Sequence, residues 1–124
     1  MARENIVRRD ERQASGTIVK ATTVTLISIK LSNNEHFAVT HFSNYVGASL
    51  AWGNLTWRVL KNRIPQVPID NQKDQRGDQI TPQQILEEII FNPCDLLEIT
   101  VQNTDAVNDW VAGAIIKGDY FRVE

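Results

Sequence analysis

A chain of 124 residues, 42% hydrophobic and 23% charged, is long enough for one domain that buries roughly two thirds of its unfolded surface, and too apolar for disorder. Its formal net charge of −2 lacks the positive surplus of phosphate-backbone binding and argues against nucleic acid as a partner. No apolar run reaches the roughly 18 residues of a membrane span, and the charged start is unlike a signal peptide, so the expectation is a chain made in the cytoplasm with no membrane partner.

The first segment, residues 1–16, carries Arg3, Arg8, Arg9 and Arg12 against Glu4, Asp10 and Glu11, with Ile6 and Val7 as a small apolar patch. So little apolar surface predicts an extended, mobile N-terminal arm hinged at Gly16, with residues 17–124 forming the folded domain. From Thr17 the chain turns β-branched, and Thr22–Leu31 places Thr25, Ile27, Ile29 and Leu31 on one strand face. His36–Val46 alternates with apolar groups on both faces, which marks a central strand, and Leu50–Leu60 sets Leu55, Trp57 and Val59 inward with Trp52 on the polar side.

Residues 61–84 are polar and hold Pro65, Pro68 and Pro82. A loop that long in a compact domain is a candidate interaction surface. Thr81-Pro82-Gln83-Gln84 has the form of a capping box and predicts one short helix through Glu88. Two further strands, Leu96–Gln102 and Val111–Val123, complete an all-β reading: a single antiparallel β-sandwich, Greek-key or jelly-roll-like, with an N-terminal arm and one short helix.

Catalytic and metal chemistry find no footing in these residues. His36 and His41, five apart on a strand, point to opposite faces and cannot share a metal from it. Asp70, Asp74 and Asp78 lack the ligand spacing of a calcium loop and read as solvated charge. Gly47-Ala48-Ser49-Leu50-Ala51 lacks the second glycine of a nucleophile elbow, and no glycine-rich phosphate loop occurs. The tripeptide Arg76-Gly77-Asp78 and the sequon Asn54-Leu55-Thr56 are short enough to arise by chance. Cys94, the single cysteine, reads as a buried structural thiol beside Asp95. The expectation is a protein that is not an enzyme and has no cofactor. Trp57 reads as core, whereas Trp52 and Trp110 divide evenly between core packing and interface anchors.

Three segments carry a resemblance: Trp57 to Pro65, Ile90-Phe91-Asn92-Pro93-Cys94-Asp95 running on to Asn103-Thr104, and Gly113 to Phe121 with its Gly118-Asp119-Tyr120. Together they resemble the small β-sandwich virion proteins of tailed bacteriophages, in which a phrase of the form phenylalanine-x-proline-glycine-aspartate opens a strand ending in Asn-Thr and a final strand carries Gly-x-Tyr. Cys94 stands where that pattern has glycine. The resemblance implies a capsid decoration or cement protein, part of the virion, bound between capsomers to the major capsid protein as a homo-oligomer, dimer or trimer. The expected partner contacts are Arg3, Ile6, Val7, Arg8, Arg9 and Arg12 of the arm, with Trp52 and Trp110. The alternative is a phage tail module that binds a receptor or carbohydrate, with Trp52 or Trp110 as a stacking platform.

Overall fold

The computed structural model describes residues 6–122. Eight strands run in order β1 (Ile6–Ile18), β2 (Thr23–Lys30), β3 (His36–Val46), β4 (Leu55–Lys61), β5 (Ile64–Pro65), β6 (Gln83–Phe91), β7 (Leu96–Asn103) and β8 (Trp110–Phe121). They pair antiparallel as β1 with β8, β2 with β7, β3 with β6 and β4 with β5, the pattern of one long ribbon. The added pairings of β8 with β3 and β7 with β4 roll that ribbon into two four-stranded sheets, β1-β8-β3-β6 and β2-β7-β4-β5. This is the strand order of a jelly roll, an antiparallel β-sandwich, as the sequence predicts.

The inward residues are those the alternation selects. Leu55, Trp57 and Val59 of β4 and Leu97, Ile99 and Val101 of β7 are buried, facing Phe37, Val39 and Phe42 of β3 across the sandwich. Trp57 is fully buried and its indole Nε1 donates to the Gly113 carbonyl of the opposite sheet at 3.2 Å. On β8, Gly118 is needed for close approach: a Cβ there would lie 2.2 Å from the Ala38 carbonyl oxygen. On β2, a bulge between Thr25 and Ile27 changes the phase of the alternation. Ile27 and Ile29 are buried and Thr25 is exposed, contrary to the single face expected from the sequence.

Four expectations need correction. Residues 6–16, expected in the mobile arm, form most of β1, in register with β8 from Arg8 opposite Tyr120 to Ile18 opposite Trp110. The ladder satisfies the backbone whatever the side chains are. Meanwhile Ile18 enters the core, Arg8 lies over the Tyr120 ring at 3.9 Å, and Gly16 is a strand residue opposite Ala112 rather than a hinge. The helix expected through Glu88 is instead strand β6, and among the described residues the helical turn is a 3₁₀ segment at Ser49–Ala51. Cys94 is exposed, at φ 69° in the turn between β6 and β7. Finally, a bulge at Thr40 puts Phe37 and Val39 inward before it and Phe42 inward after it, so His36 and His41 fall on the same outer face.

The polar segment after β5 is held along its length. Val59 N–H donates to the Ile69 carbonyl, Trp57 and Gln72 exchange backbone bonds at 2.9 and 3.0 Å, and Asn44 N–H donates to the Arg76 carbonyl. Ile69 is fully buried, and the Arg58 guanidinium reaches Asp70, Asn71 and Gln102. The loop thus lies along the edge of β4 beyond the two-residue β5 and crosses to β3.

Candidate interaction surface

The β1-β8-β3-β6 sheet carries a marked backbone irregularity between β3 and β6. In the β3–β6 ladder, Val39 faces Ile89 and the next pair is His41 with Gln84. Ile85, Leu86, Glu87 and Glu88 therefore stand opposite Thr40 alone. Ile85 and Ile89 anchor the two ends in the core at 2% and 3% exposure, so the backbone between them must arc outward. Leu86 at its crest is 102% exposed. A notch of about 450 Å³ forms along this arc.

Beside it lies a shallow cleft of about 290 Å³. Its floor joins Arg9 of β1, Asp119 and Lys117 of β8, and Thr40 and His41 of β3, with Gln84 and Glu88 at the rim. Arg9 Nε pairs with Asp119 Oδ1 at 3.2 Å, and Thr40 Oγ1 lies 2.8 Å from His41 Nδ1 while donating to the Lys117 carbonyl. Cations and carboxylates are mixed here, and the cleft is open to water. It can bind charged and hydrogen-bonding groups, and it holds no Ser or Cys nucleophile.

A third cleft, of about 190 Å³, opens at the seam where β1 and β2 form adjacent edges of the two sheets. Arg8, Arg12 and Lys30 line it over Tyr120, and Arg8 Nη1 is bonded to Glu35 Oε2 at 3.0 Å. Arg12 Nε bonds to Asp10 Oδ2 at 3.0 Å, and this bond holds the guanidinium above its ordinary pKa, with a further contribution from Tyr120.

Of the expected contacts, Arg3 lies outside the described residues. Ile6 and Val7 are each 43% exposed at the start of β1, and Arg8, Arg9 and Arg12 are distributed over its two faces. The two tryptophans are elsewhere, packed against the core and partly buried. Trp52 packs tilted against Trp57 with ring centroids 5.4 Å apart, and Trp110 Nε1 donates to Asp105 Oδ2 at 3.2 Å. That Asp105 carboxylate is held down at a pKa of about 2, chiefly by the backbone N–H of Val107, then by Asn108. Near Trp110, Val107 and Val111 are exposed at 75% and 50%.

The loop motifs resolve into fold-building roles. Asp70 pairs with Arg58, and Asp78 accepts from the N–H groups of Thr81 and Ile80, which lowers its pKa. In Arg76-Gly77-Asp78, Gly77 has φ +66° and a Cβ there would lie 2.7 Å from that of Ser43, so the tripeptide is wedged against β3. Among the described residues no group of three His, Cys, Asp or Glu side chains converges as a metal site. Sequence reasoning missed the arc of β6 altogether. Its signal is the spacing Ile85 to Ile89, which is helical in period and here produced by a bulge. No protein-family profile, curated protein or solved structure matches this chain.

Proposed function

We propose that this protein is a non-catalytic structural component of a virus particle, a decoration protein that binds the major capsid protein between capsomers and resides in the virion after synthesis in the host cytoplasm. The observation that carries the reading is where the apolar side chains lie. The space between the sheets is filled by one continuous core, while Leu86, Ile80, Val67, Leu50 and Val107 are all more than 70% exposed on loops and on the β6 arc. Large apolar groups raised on turns above a rigid sandwich are what interface anchors require. The jelly-roll strand order and the three resembling segments support the same reading.

The mechanism is mass action. A protein that binds the assembled shell and not its separated subunits stabilises the shell by RT ln(1 + [L]/Kd), about 2.7 kcal/mol at a hundredfold excess over Kd. Purified particles should contain hundreds of copies, and adding the protein back to stripped shells should raise their disruption temperature. A handful of copies per particle would assign it to the tail, and absence from particles would end the reading.

A further inference from the structure

We propose that the free edge of β1, with the Arg8–Arg12–Lys30 cleft beside it, takes up an extended acidic segment of a partner protein by strand addition. β1 is 13 residues long and pairs with β8 on one side, while on its other side no strand pairs with it among the described residues. From Arg8 to Ile18 its register is unbroken. A straight edge of this length is a template for a further strand, with backbone bonds giving affinity and flanking side chains giving selectivity.

The charge of the cleft selects the occupant. Arg8, Arg12 and Lys30 stand against Glu35, which bonds Arg8, and Asp10, which bonds Arg12, a surplus of one cation in a chain whose formal net charge is −2. The two arginines offer planar forks for carboxylates, and the alternate side chains of an added strand would point toward them. A phosphate could satisfy the same charges, but it would make no use of the unbroken backbone edge, so the strand is the better fit.

A second copy of this chain can pair along the edge but leaves its charges unused. A twofold axis that pairs β1 with β1 keeps each residue on its own face, so one residue must sit opposite itself. Centring the pair on Gln13, the midpoint of Arg8–Ile18, sets Arg12 on Ala14 and Arg8 on Ile18, so neither arginine meets a carboxylate of the second copy. An acidic strand supplies those carboxylates and makes fuller use of the edge.

The test uses the full chain and a labelled ten-residue peptide alternating Glu with Val and Thr. Its counterparts are a Lys-for-Glu peptide, the acidic peptide with two central prolines, and inorganic pyrophosphate. The acidic peptide should bind, shift the amide resonances of β1, and lose at least tenfold in affinity in the triple variant Arg8→Gln, Arg12→Gln, Lys30→Gln. Both the proline and the lysine peptides should bind at least tenfold more weakly. Arg9→Gln, on the opposite face, should change affinity less than twofold. No binding of the acidic peptide below 1 mM, equal binding of the proline peptide, or full competition by pyrophosphate would overturn the proposal. None of these outcomes depends on whether the protein decorates a shell, which particle composition decides separately.

Discussion

Replacing Asn103 tests how the end of this sandwich is closed. The side chain is 2% exposed at the end of β7. Its Nδ2 donates to the carbonyls of Ile18 and Asn108, each at 3.0 Å, and its Oδ1 accepts from the Asp105 N–H at 2.9 Å. One amide thus joins the last residue of β1, the last residue of β7 and the loop into β8. Asn103→Ala leaves three backbone groups without that partner, and at roughly 0.5 to 1.5 kcal/mol each the expected loss is about 2 to 4 kcal/mol. For a domain of this size that corresponds to a fall in Tm of about 8 to 15 °C, read by circular dichroism melting or by urea titration. Asn103→Asp should do no better than Ala at pH 7, because it loses both donations and places a charge at a buried site. Thr104→Ala, whose exposed hydroxyl donates to the Asn54 carbonyl at 3.2 Å, should cost less than about 1 kcal/mol. An Asn103→Ala protein within about 1 kcal/mol of the parent would refute the claim that this amide closes the end.

Deleting residues 2–15 removes most of β1 and exposes the edge of β8, so the chain should lose its cooperative melt or fall by more than about 10 °C in Tm; a truncated protein melting within 2 °C of the parent would return β1 to the status of a dispensable arm. The Asp105 carboxyl should titrate near 2 by NMR. Because its folded pKa lies below the ordinary 3.8, its contribution to stability is complete above about pH 4 and is lost as pH falls through about 2; a midpoint near 3.8 would show that the loop hydrogen bonds do not form in solution. Cys94→Gly should stabilise the protein by about 0.5 kcal/mol, since the position is exposed and left-handed and relief of steric strain outweighs the added freedom of the unfolded chain; a lower Tm would contradict this.

The core was legible from period-two alternation because its selection rule is local. Leu97, Ile99 and Val101 need only a strand and a sheet on one side, and so do Leu55, Trp57 and Val59. What was not legible depends on partners distant in sequence. The charged stretch Arg8–Arg12 looks unable to order itself until β8, about a hundred residues later, supplies its ladder and Tyr120 its ring. Ile85 and Ile89 carry a helical spacing, and only the pairing of both flanks with β3 turns it into an arc. Of the candidate surface, Arg8, Arg9 and Arg12 could be picked out from their arginine density, whereas Lys30, Lys117, Asp119 and the arc could not, because nothing in the sequence places them on shared faces. The departure from the resembling pattern at Cys94 does have a physical counterpart: it falls on a residue with φ 69°, where glycine would carry no strain.

The way the four sheet edges are treated bears on which one binds. β5 is two residues long, and the following loop bonds along β4 at Val59 and Trp57. β6 is broken by four residues facing one, and β2 by the bulge between Thr25 and Ile27. Short strands, covering loops and bulges are the usual means of blunting an edge against unwanted pairing. β1 alone keeps its register unbroken over Arg8–Ile18, and it remains a template whose arginines a strand of complementary sign can use. A protein that only needed to avoid association could have bulged β1 as it bulged β6. Keeping this one edge straight and cationic fits a fold in which the other three are closed so that binding is confined to one line.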